Sequence, residues 1–342
     1  MDASRLLLSL IGFALASCAS STSPLEKGAK PHDYGRIGAG EGPAWKDGSL
    51  YFTDGTHINS FDTATGKTSV FRAKSGSSNG LMFDQVGRLI ACESNGRRLV
   101  RHEGLLTFGI TSDGCSGDTS LDVNPKVVVL ADRYEGHRFN SPNDVTRDSR
   151  GRIYFTDPRY GDRKNMEMRD AQGRLVEGVY RVDAPGKVTR ILGPDDVERP
   201  NGILVSPGDK HLYVADNNNN SVGGSRRLYR FDLNADGTVK PGSRTVIFDW
   251  KGSRGPDGLK MDIKGRLYVA AGVNQANPNE TDEFKAGCYI LSPKGKLIDF
   301  VPTAPDEATN CAFGGSDGKT LYITSGNHLW SVPVKTAGFR MQ

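Results

Sequence analysis

Residues 143–157 read NDVTRDSRGRIYFTD: an amide, a polar turn with one glycine, then a β-branched and aromatic run closed by an aspartate. The template recurs along the chain. Glu41-Gly42 leads into DGSLYFTD, Asn79-Gly80 into VGRLIAC, and Asn201-Gly202 into DKHLYVAD. Asp257-Gly258 leads into KGRLYVA and Asn310-Cys311 into DGKTLYIT. The six leading residues are spaced 38, 64, 58, 56 and 53 apart, the period of a propeller array built from turn-plus-strand units. Each unit holds about four strand-like runs bounded by Gly, Asp and Ser, such as Gly178-Val179-Tyr180-Arg181-Val182 after Ile153-Tyr154-Phe155-Thr156. No segment shows a long apolar period of 3.6 residues. The spacing therefore predicts an all-β, six-bladed propeller over residues 32–342. The last unit has only about three strands after Asn310, so residues 32–37 are expected to supply its outer strand and close the ring.

The composition fits one large β domain. The 342 residues include 42 Gly and 17 Pro, with 25% charged and 8% aromatic residues, a turn-rich globular balance. A net charge of +4 without a basic, aromatic-interleaved stripe argues against a nucleic-acid partner. Ahead of the propeller, Leu6 to Ala16 has the length of a signal-peptide core and ends in Leu15-Ala16-Ser17-Cys18, which resembles a bacterial lipoprotein box. Residues 1–17 thus read as an export signal, Cys18 as the lipidated residue and 18–31 as a flexible tether, giving a periplasmic lipoprotein, or otherwise a secreted protein. Membrane contact would come through the lipid alone. Cys92, Cys115, Cys288 and Cys311 permit two disulfides, although Cys92 and Cys311 sit inside strand-like runs that favour buried thiols. The polar inserts at 109–122, 161–173 and 273–285 read as loops suited to pocket walls.

The first residue of a blade's innermost strand faces the central channel. Here those residues are Glu41, Asn79, Asn143, Asn201, Asp257 and Asn310. Leaving six buried polar groups without partners would cost about 1–3 kcal/mol each. Turn capping accounts for any one of them. Six in register, two of them acidic, point instead to a shared hard cation, Ca²⁺, Mg²⁺ or Mn²⁺. Zn²⁺ fits less well, because none of the six histidines falls at a ring position.

The motifs EGPAW (41–45), NSPNDVTRDSRGRIYFTDPRYG (140–161), RPNGI (199–203) and GPDGLKMDIKGRLYVA (255–270) resemble the family of gluconolactonase, senescence marker protein (regucalcin) and luciferin-regenerating enzyme. The resemblance runs from about Gly40 to the C-terminus. It implies a six-bladed propeller with one divalent cation, usually Ca²⁺, in its channel, and lactonase activity. Relatives in the wider superfamily hydrolyse organophosphates. Carried over by motif, Glu41, Asn201 and Asp257 are metal ligands, and Asp257 is also the base or nucleophile. Asn143 binds metal or substrate, with Asn79 and Asn310 as substrate-side or supporting candidates. In the animal branch an arginine two positions before the third-blade asparagine contacts substrate; that position is Ser141 here, and Arg138 is the nearby candidate. Tyr160, in Asp157-Pro158-Arg159-Tyr160, is expected at the pocket rim. The implied reaction is hydrolysis of a small lactone or ester by a monomer and needs no serine nucleophile; Ser141-Pro142-Asn143 is not a nucleophile elbow. A phosphotriesterase and a non-catalytic metal-binding propeller remain open as alternatives.

Overall fold

The computed structural model describes residues 23–103, 126–304 and 307–340. Six antiparallel four-stranded sheets follow one another around a ring. Their inner strands are Glu41–Lys46, Ser78–Phe83, Val145–Arg147, Pro200–Val205, Pro256–Met261 and Ala308–Gly314. No α-helix occurs among the described residues, only a 3-10 turn at Pro207–Asp209. A two-stranded hairpin, Arg133–Tyr134 with His137–Arg138, adds a feature the repeat did not announce.

The strand runs are apolar on both faces because each sheet is covered on both sides by its neighbours. In Ile153–Asp157, alternation sends Tyr154 to the seam with the fourth blade, among Ile203, Val205 and Leu212. Phe155 turns to the seam with the second blade, among Cys92, Leu99 and Phe139. Six buried apolar clusters result, one per seam. The Asp-x-x-Gly-Arg turns are held by their own aspartates. Asp148 accepts the Arg150 and Arg152 amides at 3.0 Å each, the Arg152 guanidinium at 2.5 Å and the Tyr154 hydroxyl at 3.1 Å.

The ring closes as the strand count predicted. His32–Asp33 pairs with His328–Pro333, in register His32 with Ser331 and Asp33 with Trp330. The expected tether is described from residue 23 onward, and there the chain is not free. Leu25 bridges Val334, the Lys335 amide donates to the Pro24 carbonyl at 2.8 Å, and Leu25 and Ala29 pack on the sixth blade's core. Apolar side chains beside an open sheet edge explain the difference. The signal peptide, Cys18 and Cys115 lie outside the described residues, as does the insert at 109–122. Cys92, Cys288 and Cys311 are buried free thiols. Among the described residues, no helix is long and apolar enough to cross a membrane.

Candidate active site

All six inner strands begin at the same mouth of the channel, and contacts between neighbouring blades bring their leading residues into a closed ring. The Thr53 hydroxyl donates to the Asn79 carbonyl at 3.2 Å, and the Gly80 amide to the Asn143 carbonyl at 2.6 Å. The Thr156 hydroxyl donates to the Asn201 carbonyl at 2.6 Å, and the Asn310 side-chain amide to Glu41 Oε2 at 3.0 Å. The glycine that follows the leading residue is a requirement of this closeness. A β-carbon at Gly42 would collide with the Asn79 carbonyl, and one at Gly258 with the Asn310 side chain. The threonine of the recurring YFT run and the glycine of the E/N/D-G pair are thus both parts of the ring.

The side-chain oxygens then divide into used and unused. Asn79 Oδ1, Asn143 Oδ1 and Asp257 Oδ1 are buried and have no hydrogen-bond partner. Asn201 donates its Nδ2 to the Tyr160 hydroxyl at 3.0 Å, which leaves its Oδ1 uncommitted. Asn310 spends both ends: Oδ1 accepts the Cys311 amide at 2.8 Å while Nδ2 holds Glu41. It supports the ring and has no oxygen to spare. Glu41 Oε2 also accepts the Gly42 amide at 2.6 Å.

Charge is concentrated here. The Glu41 and Asp257 carboxyls are in hydrogen-bond contact, and one buried pair cannot readily hold two negative charges. Burial first, then the nearby Asp144 charge, raises Glu41 from 4.5 to about 7. Burial and the Glu41 charge push Asp257 well above the ordinary carboxylate range, opposed by Arg254. Asp144 is a buried carboxyl that the sequence reading missed. Its signal was an aspartate where four other units carry glycine.

No group of three or more His, Cys, Asp or Glu is placed to hold a metal among the described residues. The donor set is of another kind: two carboxylates plus the amide oxygens of Asn143 and Asn201. Buried, unpartnered oxygens on Asn79, Asn143 and Asp257, with the Glu41 carboxyl beside them, fit a hard cation with oxygen ligands, Ca²⁺ before Mg²⁺ or Mn²⁺. A ring without nitrogen or sulfur donors suits Zn²⁺ poorly.

The loops above the ring fix its members. Asp157 accepts the Asn140 and Ser141 amides at 2.8 and 2.7 Å, clamping the segment that delivers Asn143. Asp216 does the same for Asn201 by accepting the Arg199 amide at 2.6 Å. Tyr160 reaches the site as expected, but through Asn201: its hydroxyl donates to the Asn217 carbonyl at 3.3 Å, and the Arg199 guanidinium covers its ring at 5.3 Å. Arg199 is itself held by Glu177, at 3.0 and 3.2 Å. Arg138 is not brought to the ring. It is exposed and bound to Glu167 of the insert at 161–173, with Nε to Oε1 at 2.7 Å. The other described insert carries Glu280 to Arg254, in two bonds of 2.9 and 2.7 Å.

Fold and site together define a class: a six-bladed propeller whose channel mouth is a ring of two carboxylates and four carboxamides. Residues 39–327 match the SMP-30/Gluconolactonase/LRE-like region. A gluconolactonase of Zymomonas mobilis is 31% identical over 310 residues, covering 87% of this chain and 79% of that protein. A gluconolactonase structure from Xanthomonas campestris superposes with a TM-score of 0.70 at 26% identity, covering 92% of this chain and 93% of that one. A calcium-binding regucalcin from Agrobacterium tumefaciens shares the fold, with a TM-score of 0.65 at 18% identity over 90% of this chain and 94% of that one. The chain belongs to the SMP-30/gluconolactonase/LRE-like family.

Proposed function

We propose that this protein is a divalent-cation-dependent lactonase acting on sugar-type lactones at the ring. The observation that supports it most is the set of buried, unpartnered oxygens of Asn79, Asn143 and Asp257, with the Glu41 carboxyl against Asp257. Family membership and a gluconolactonase relative supply the substrate class. Glu41, Asn143, Asn201 and Asp257 would hold one cation, the chemistry of which is Lewis-acid polarisation of the lactone carbonyl. Asn310 and the Gly42 amide hold Glu41 in place. Tyr160 turns the Asn201 amide so that its oxygen is the free end. Asp257 Oδ1 takes the proton of the attacking water, or attacks the carbonyl itself. Asn79, with its oxygen also unused, is placed to accept a substrate hydroxyl.

Initial rates on a panel of sugar and aliphatic lactones and aryl phosphotriesters, with Ca²⁺ and with chelator, test this reading. Lactone opening that vanishes in chelator and returns with Ca²⁺ is expected. Turnover of phosphotriesters alone would reassign the substrate class, and turnover of nothing would leave a binding module. Export with acylation of Cys18 is part of the same proposal: Cys18→Ser should abolish acyl labelling and release a soluble periplasmic protein.

A further inference from the structure

Below the ring the channel widens into a cavity of about 350 Å³ whose wall includes Trp45, Met82, Phe83, Leu204 and Phe313. Two cations reach this mostly apolar level, and they are housed differently. Arg147 donates to the Asp148 carbonyl at 3.3 Å and sits among the Asp84, Asp148 and Asp209 charges. All three aspartates lie in the turns that follow the inner strands, at the end of the channel away from the ring. Lys260 is the third residue after Asp257 on the fifth blade's inner strand, and its ammonium donates to the Leu259 carbonyl at 3.1 Å. The carboxyl that feels its charge is Asp144, which belongs to the ring's own neighbourhood.

Asp144 follows Asn143 at 2% exposure, where four other blades carry glycine. Its Oδ1 accepts the Val145 amide at 2.9 Å, and its Oδ2 accepts the Ile203 amide of the next blade at 3.3 Å. Gly80 makes room for it, since a β-carbon there would lie 2.7 Å from Asp144 Oδ1. Burial raises the Asp144 carboxyl above its ordinary range, and the Lys260 ammonium leads the groups that oppose the rise. The Asp144 charge in turn reaches Glu41. On the other side of Asp257, the Arg254 guanidinium is bound by Glu280 at 2.7 Å and by Glu307 at 2.7 Å. A carboxylate fixed beside a cation site attracts the cation, and an ammonium one level lower repels it. Inside the channel little water intervenes to screen either effect.

We propose that Asp144 and Lys260 form a charge pair that sets how tightly the ring holds its cation: the Asp144 carboxylate strengthens the hold and the Lys260 ammonium limits it. Both act through the ring and neither is a ligand. The inference rests on the cation reading of the ring given above.

Calorimetric titration of Ca²⁺ into the full chain at about pH 8, where both charges are present, is the test. Asp144→Asn should weaken binding about 10–100-fold. Lys260→Met should do the reverse and tighten it about tenfold, whereas Lys260→Arg, which keeps the charge, should stay within about twofold of the unsubstituted chain. The double variant, Asp144→Asn with Lys260→Met, should fall between the two single ones. Packing damage weakens binding in both single variants, so the opposite signs are the readout that a structural role would not give. Lys260→Met that weakens binding or leaves it unchanged overturns the proposal, as does unchanged affinity in Asp144→Asn. Glu41→Gln, at the ring itself, should cost more than Asp144→Asn; if it costs nothing, the cation sits elsewhere and the proposal falls. No Ca²⁺ binding by the unsubstituted chain would remove the cation reading and the pair's role together, whereas normal binding with unmoved variants would remove the pair's role alone. Should Asp144→Asn not fold, the sign of the change in Lys260→Met decides.

Discussion

The same six strands solve opposite problems at their two levels. At their starts they gather oxygens, three of them buried and unpartnered, with two carboxyls in contact. Three or four residues further they gather apolar and aromatic side chains into which Arg147 and Lys260 intrude. One level is rich in oxygen atoms; the other is mostly apolar and aromatic, with a few polar and charged side chains among them.

That contrast can be broken at the upper level first. Asp257→Asn keeps an oxygen at the ring but removes the proton acceptor and one negative charge. Lactone turnover at saturating Ca²⁺ should fall by about 10²–10⁴, with folding intact by circular dichroism. Near-normal turnover would reduce Asp257 to a ligand and move the base to Glu41. Tyr160→Phe removes the acceptor that orients Asn201. Ca²⁺ affinity should drop by about 10–100-fold while turnover at saturating Ca²⁺ is retained, which separates a positioning role from direct substrate contact. Unchanged affinity with a raised KM would restore Tyr160 as a substrate residue.

A smaller effect tests how the upper level is braced. Burial raises the Asp157 carboxyl from 3.8 to about 7, so the folded chain keeps a proton there that the unfolded chain releases. The resulting stability is full below about pH 4 and is lost as pH rises towards 7. The slope is at most one proton, about tenfold in the unfolding equilibrium per pH unit. Asp157→Asn should flatten that part of the urea-midpoint profile. The smallest effect is expected outside both levels. Arg138→Ala should change stability by no more than about 0.5 kcal/mol and leave lactone KM within about twofold. A large KM change would return Arg138 to the site.

The repeat made the fold legible because each unit repeats turn, strand and leading residue at one spacing. Even the closing strand followed from counting strands after Asn310. The ring was legible for the same reason, since a leading residue can be named without knowing any distance. What could not be read was how each side chain is used. Asn201 and Asn310 occupy the same template position, yet one keeps an oxygen free and the other spends both ends on Glu41 and Cys311. That difference is made by Tyr160, 41 residues away in the chain, and by Glu41, 269 away. Arg138 was placed near the site by sequence proximity alone, and Glu167 holds it at the surface instead. Asp144 and Lys260 were overlooked because each looks ordinary until set against its counterparts in the other units.

The pairing of His32–Asp33 with His328–Pro333 has a consequence for how the molecule is made. The strand that seals the ring is synthesised first and its partner nearly last. At about 5–20 residues per second, the nascent chain carries the unmatched edge for roughly 15–60 s before the seam can form. Through that interval the first blade lacks the neighbour that will cover Leu50 and Phe52, which pack against Tyr322 and Leu329 in the finished ring. The circle is therefore a timing constraint as well as a shape: five seams can form between successive blades, and the sixth waits for the two ends of the chain to meet.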